Sequence, residues 1–271
     1  MTVNLEILAC PACHHDLVAI GPTLRCDRCG KSFPLVHGIP VFLPGPVAVA
    51  PLAHESNALG PQFEEILKRG EGLILHLGAG ASVRRHPNCV ELEHKIFRHT
   101  DVVGDAHALP FREAIFDRVF AFNVFEHLRE PARAAREIHR VLKPGGEVVL
   151  HTAFLQPLHE APHHYFNATE FGVREWFREF EIEGCEVSGN FSPGFMLGFV
   201  AAALLDTVRE SGAPADAERD VAGTTLGQWA DFWRQRQRTP SFETLLKLPP
   251  DLQKRVAAGF QLHARKRAPS R

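Results

Sequence analysis

Near-continuous apolar residues at 73–77 (Leu-Ile-Leu-His-Leu) run straight into Gly78-Ala79-Gly80. A short run apolar on both faces predicts a strand buried on both sides, hence a parallel one, entering a tight turn. Glycines at such a turn let the backbone approach a ligand, because no Cβ intervenes. Further strands are predicted at 89–93, in the block opening at Val102 and at 116–122, with a helix, a Lys143-Pro144-Gly145-Gly146 turn and a fifth strand spanning 137–150. A short helix is expected at 61–69, ahead of the first of these strands. Downstream, 181–188 reads as a sixth strand and 258–266 alternates as an antiparallel edge strand does. Between them lie three helical patterns, at 195–210, 227–238 and 242–257. The apolar stretch 194–205 reads as a buried helix, and Trp229 and Trp233, four apart, share one face as core residues do.

Composition narrows the class. With 271 residues, 45% of them hydrophobic, the chain can fill one or two cores. A formal charge of −2 gives no global positive field for nucleic acid or anionic lipid. No apolar run approaches the ~20 residues of a membrane span, and no secretory signal opens the sequence, so a cytoplasmic protein without membrane contact is expected.

Four of the six cysteines stand as Cys10-Pro11-Ala12-Cys13 and Cys26-Asp27-Arg28-Cys29. Two C-x-x-C knuckles allow four thiolates to converge on one Zn²⁺, the arrangement of a closed structural site. Disulfides or spare thiols are the alternative. The segment is too short to fold on its own core, so bound metal would supply much of its folding free energy. A proline-spaced stretch at 44–51 reads as linker.

The blocks "GDAHALPF" (104–111), "FNVFEHL" (122–128) and "RVLKPGG" (140–146), following the strand and Gly-x-Gly turn, resemble the class I S-adenosylmethionine-dependent methyltransferases over residues 73–152. Around the cysteines, "LACPACHHDL" and "LRCDRCGKSFPLVHGIPVFLP" resemble the zinc-ribbon family of small methyltransferase activators. Together these imply an α/β fold: a Rossmann-like methyltransferase sheet, mostly parallel with an antiparallel last strand, a small N-terminal zinc ribbon at 1–44, a linker at 45–60, and a methyltransferase domain at 61–271. The helical insertion at 192–256 would be a lid or a dimer surface.

The resemblance implies S-adenosylmethionine as cofactor. Gly78, Ala79 and Gly80 would cradle it. An acid ending the second strand would take the ribose hydroxyls, with Glu93 preferred over Glu91 because it lies nearer the carboxyl end. Asp105 and the Ala106 amide would hold the adenine, and Asn123 would stand beside the sulfonium. The sequence departs from the family at His76, where an acid is usual, and at Ser82, where a third glycine is usual. Only about fifteen residues, Pro87 among them, separate Gly78 from Glu93. A three-turn helix alone takes ~11 residues, so the first crossover helix must be shortened or replaced by a turn.

Residues 151–169 hold His151, His159, His163, His164 and the only tyrosine, Tyr165. The loop leaves the carboxyl edge of the sheet. His163, His164 and Tyr165 are therefore candidates for proton removal from an oxygen or nitrogen nucleophile. A metal site and a simple cap for a helix starting near Thr169 are the competing readings. The expected acceptor is a hydroxyl or amine of a small molecule or glycan precursor. RNA is second, suggested by the ribbon and by Arg265-Lys266-Arg267, and a catalytically inactive partner protein is third.

Overall fold

The computed structural model describes residues 3–51, 59–235 and 238–261. These form two compact units, one within Met1–Phe154 and His163–Glu186, the other within Leu155–Pro162 and Val187–Arg271.

The first unit opens with an antiparallel sheet of β1 (Leu17–Ile20), β2 (Thr23–Cys26), β3 (Ser32–Val36) and β4 (Ile39–Pro40), paired in that order. Helix α1 (Pro61–Arg69) follows. Pro61 occupies its first turn, where no intrahelical N–H is needed, and Gly70 ends it in the left-handed region. Its apolar face presents Phe63 and Leu67. The Phe63 ring lies 5.4 Å from that of Phe120 and 4.7 Å from that of Phe122.

Five strands then build the central sheet: β5 (Ile74–Leu77), β6 (Cys89–Glu93), β7 (Val102–Val103), β8 (Phe116–Phe122) and β9 (Leu142–His151). All pair in parallel, in the order β7-β6-β5-β8-β9. Alternation splits each strand between two cores. Leu75, Leu77, Val90, Leu92, Val119 and Ala121 face one core; Ile74, Cys89 and Phe120 face the α1 side. Helix α2 (Pro131–Val141) packs Ala134, Ala135, Ile138 and Val141 into the first of these. Helix α3 (Glu170–Trp176) is capped by Thr169, whose hydroxyl accepts from the Gly172 N–H.

Residues 78–88 and 94–101 contain no helix, so the short spacing after Gly78 was diagnostic and the crossover is made by turns. The small sheet occupies the sheet edge that this leaves. Val41 bridges Val103 in parallel, the Phe42 N–H donates to the Val103 carbonyl at 2.8 Å, and Val49 bridges Ile96. Phe33, Phe42, Leu8 and Leu24 thereby join the same core as Leu92 and Phe111. An edge strand left open would invite foreign pairing; here the chain covers its own edge.

Two expected strands are not seen among the described residues. Residues 181–188 form no ladder: Gly184 interrupts the alternation, and β9 carries no neighbour on its outer side among the described residues. Residues 258–261 are irregular, and 262–266 lie outside the described residues, as does the basic run 265–267. The antiparallel last strand is therefore not part of the described sheet, which is wholly parallel.

In the second unit lie α4 (Pro193–Glu210), α5 (Ala215–Gly223), α6 (Leu226–Gln235), α7 (Pro240–Leu246) and α8 (Pro250–Gln253). The single helix expected over 242–257 breaks at Pro249-Pro250, because proline disfavours helix in the residue before it. Helix α5 had no counterpart in the sequence reading. The stretch 194–205 is helical but not buried: Phe195, Leu197 and Phe199 are exposed, as is Trp233. Val208, Val221 and Leu248 form this unit's small core. No helix among the described residues is long and apolar enough to cross a membrane.

Candidate active site and metal centre

Strand order reverses at β5, which runs toward β6 and β7 on one side and meets β8 on the other. In an open α/β sheet, ligands bind in the crevice beyond the carboxyl ends at such a switch point. Gly78, at φ 68°, and Gly80, at φ 63°, form the turn there. A Cβ on Gly78 would stand 2.3 Å from Val124 Cγ2, so only glycine lets the turns after β5 and β8 approach this closely. Opposite it, Asn123 takes φ 56° and donates its N–H to the His151 carbonyl at 2.9 Å. A left-handed non-glycine residue at a strand end marks a conformation held by its surroundings.

Glu93 ends β6 and is buried. Its Oε1 accepts from the Gly80 N–H at 2.5 Å and its Oε2 from the His94 N–H at 3.2 Å. The acid thus pins the glycine turn. Glu91, one pleat earlier on the same face, accepts from the Ser82 hydroxyl at 2.6 Å, and that hydroxyl also meets His99 Nδ1 at 3.0 Å. Burial pushes the Glu91 carboxyl up to about 7. His76 points into the same buried face beside Phe120 and Phe122. Burial drives its pKa down to about 4, against the opposing pull of Glu93, so it is neutral at physiological pH. The ring is an uncharged packing element here, not a substitute for the missing acid.

Asp105 follows β7 with its side chain half exposed. Its Oδ1 is 2.6 Å from His107 Nδ1, and the Glu130 N–H donates to His107 Nε2 at 3.1 Å. With Nε2 accepting, the ring proton sits on Nδ1 and is donated to Asp105. This fixes the carboxylate and leaves Oδ2 available. Ala106 is buried beside it. The rest of this loop is stitched to α2. Glu137 Oε2 accepts from the Leu109 N–H at 2.8 Å, and Arg140 donates to the Leu109 and Phe111 carbonyls at 2.9 and 2.7 Å while pairing with Glu137. Lys143 lies elsewhere and binds Asp117 at 2.9 and 3.0 Å, which lowers that carboxyl's pKa; the Lys-Pro-Gly-Gly segment, expected as a turn, falls inside β9 at an irregularity in its pairing with β8, and its role is architectural.

Beyond β8, one 3₁₀ turn (Phe125–His127) leads to the loop candidates. The Glu126 carbonyl accepts from the Tyr165 N–H at 2.7 Å, and His127 Nδ1 lies 2.9 Å from the His163 carbonyl. The Tyr165 hydroxyl accepts from Arg129 Nε at 2.9 Å and is 3.4 Å from His163 Nδ1. His164 Nε2 instead meets the Phe166 carbonyl at 3.2 Å. His163, Tyr165 and Arg129 therefore form one cluster. His159 bonds locally to the Pro157 carbonyl in the other unit. The sequence reading passed over Arg129, His107 and the Glu137–Arg140 clamp. Their positions in "EHLR", "GDAHALPF" and "REIHR" were visible, but their long-range partners were not.

The four cysteines converge as expected. Cys10 and Cys29 sulfurs are 3.6 Å apart, Cys13 and Cys26 are 3.5 Å apart, and all four lie within 4.8 Å of one another. A tetrahedron with ~2.3 Å Zn–S bonds has edges of about 3.8 Å, so the thiols fit one zinc ion. None forms a disulfide.

The fold defines a Rossmann-like α/β protein with a glycine turn at its switch point and a cysteine cluster at its amino end. Residues 81–150 match the family model of a methyltransferase domain, and residues 5–38 match that of Trm112p-like proteins. The chain is thus similar to a methyltransferase domain over its central sheet and to Trm112p-like proteins over its cysteine-bearing amino end, as the sequence resemblance led one to expect. It is 32% identical over 98 residues to a tRNA U34 carboxymethyltransferase of Campylobacter curvus, covering 30% of this chain and 33% of that protein. It is 29% identical over 126 residues to a Mycolicibacterium smegmatis protein described as a "probable S-adenosylmethionine-dependent methyltransferase", covering 45% and 46%. A solved complex of the Haloferax volcanii Trm112 methyltransferase activator aligns at 21% identity and TM-score 0.33, over 43% of this chain and 66% of that one. The chain spans less than half the length of these curated relatives.

Proposed function

We propose that this protein transfers a methyl group from S-adenosylmethionine to an oxygen or nitrogen nucleophile of a small molecule. What supports the donor assignment is that the Gly78–Gly80 turn, Glu93, Asp105 and Asn123 all stand at or just after the carboxyl ends of neighbouring parallel strands around the switch point. The fit is chemical. The glycine turn packs against Val124 more closely than any Cβ would allow, which fixes the backbone at the strand end. Asp105 keeps one carboxylate oxygen for an exocyclic amine, and the buried Ala106 backbone lies beside it. When bound, S-adenosylmethionine supplies a methyl on a positively charged sulfur.

The chain's own work is positioning, which contributes most when reacting atoms are held ~3–3.5 Å apart. Arg129 donates into one lone pair of the Tyr165 hydroxyl and orients it. That leaves the hydroxyl proton for His163 Nδ1 or for an acceptor oxygen. An aromatic body with a polar tip both holds a substrate and aligns its nucleophile. His163 is the base that takes the acceptor's proton, and His164 holds the loop backbone. Cys10, Cys13, Cys26 and Cys29 would hold one structural zinc, which would stabilise the ribbon and take no part in the chemistry.

A second reading, with RNA as acceptor, is favoured by the tRNA-modifying relative. Incubating the protein with methyl-labelled donor, separately with a metabolite extract and with total RNA, decides between them. Label in a small-molecule fraction supports the first reading, and label in RNA alone replaces it with the second. Label in neither, with the donor bound, would leave an inactive partner protein.

A further inference from the structure

Beside Asp105 the structure has an open groove of about 280 Å³ that the donor assignment alone does not account for. A water molecule needs only ~10–15 Å³, so this space admits a ring system. Its walls come from both parts of the first unit: Pro11, Ala12, Lys31, Phe33 and Phe42 from the ribbon, Asp105 from the loop after β7. Phe33 and Phe42 stand 4.8 Å apart, tilted by 50°. The ribbon also brackets that loop through the backbone. The Phe42 N–H donates to Val103 at one end of residues 104–110, and the Ala9 N–H donates to Pro110, at 3.0 Å, at the other. The Leu8–Phe111 bridge and the Arg112 N–H to the Ile7 carbonyl, at 2.9 Å, continue the same seam.

We propose that the ribbon completes the purine pocket: the Pro11-Ala12 knuckle and Phe42 form its outer wall, facing Asp105. The inference rests on the donor reading above and extends it to residues with no assigned role. The chemistry selects a flat, neutral heterocycle bearing an amine. Apolar and aromatic walls suit a π-face, and the Asp105 carboxylate accepts from an exocyclic amine and repels phosphate. A free anion would meet one lysine opposed by that carboxylate. The ribbon is then a working part of the donor site and not only a fused fold.

Two measurements on the full chain test this. The first is calorimetric titration of S-adenosylhomocysteine into the parent and into Ala12→Trp, a variant that fills the groove from an exposed ribbon position. Affinity is expected to fall at least tenfold with the melting temperature unchanged. Equal affinity in a folded Ala12→Trp protein would overturn the proposal. The second needs no variant and serves if Ala12→Trp fails to fold: photolabelling the parent with an 8-azidoadenine analogue of the donor. Adducts in residues 9–13 or 31–44 support the ribbon wall, and adducts confined to residues 76–126 overturn it. If the parent binds no S-adenosylhomocysteine at all, the donor reading itself fails.

Discussion

Arg140 offers the most searching test of how the site is held. Its guanidinium is 17% exposed and Glu137 is 14% exposed. The pair therefore lies largely out of water on the inner side of α2. Arg140→Ala would leave the Glu137 carboxylate with only the Leu109 N–H, and would strip donors from the Leu109 and Phe111 carbonyls. Breaking a buried ion pair from one side costs ~3–5 kcal/mol, because the remaining charge stays desolvated. A buried acceptor left unpaired adds ~1–3 kcal/mol unless water reaches it. The two overlap here, so a loss of about 4 kcal/mol is expected in urea denaturation. The double variant Arg140→Met with Glu137→Leu removes both charges and should be less destabilised than Arg140→Ala alone. Because the clamp holds residues 109–111, donor affinity should also fall in whatever Arg140→Ala protein remains folded. A loss below ~1 kcal/mol, or a double variant no more stable than Arg140→Ala, would refute the clamp.

Burial of two groups predicts opposite pH slopes. His76 titrates near 4 when folded against an ordinary 6.5, so stability should be lost as pH falls from about 6.5 toward 4; His76→Leu should flatten that limb of the melting-temperature profile. Glu91 titrates near 7 when folded against 4.5, so its contribution should be present below 4.5 and lost as pH rises through 7; Glu91→Gln should remove that decline. Metal analysis should find one zinc per chain, with Cys26→Ser binding less and the amino-terminal sheet unfolding under chelation; a zinc-free, fully folded parent would count against the site. His163→Ala should slow methyl transfer ~10²–10⁴-fold with donor affinity retained, whereas His164→Ala should spare turnover.

Strand β5 was legible because it is a short, nearly unbroken apolar run closed by Gly-x-Gly, and the later strands because they recur between the blocks that carry the family resemblance. The missing crossover helix was legible too, by arithmetic: the residues between Gly78 and Glu93 do not accommodate one. The Cys-x-x-Cys pairs announced their convergence through spacing. What periodicity could not carry was long-range register. Nothing local in Val41-Phe42 says that it pairs with Val103, and nothing in His107 says that the Glu130 amide will fix its tautomer. The expected strand over 181–188 failed for the complementary reason: alternation marks a segment able to pair, but a ladder also needs a partner. Trp233 likewise had helical spacing, yet burial depends on what packs against the face.

The account stands most directly on donor binding at the switch point. Calorimetric titration of S-adenosylmethionine into the zinc-loaded parent should give saturable binding of one equivalent. Asp105→Ala should bind ~10–150-fold more weakly, the equivalent of losing one charge-assisted hydrogen bond of ~1.5–3 kcal/mol. No saturable binding to the parent, or an Asp105→Ala protein that binds as tightly as the parent, would contradict it.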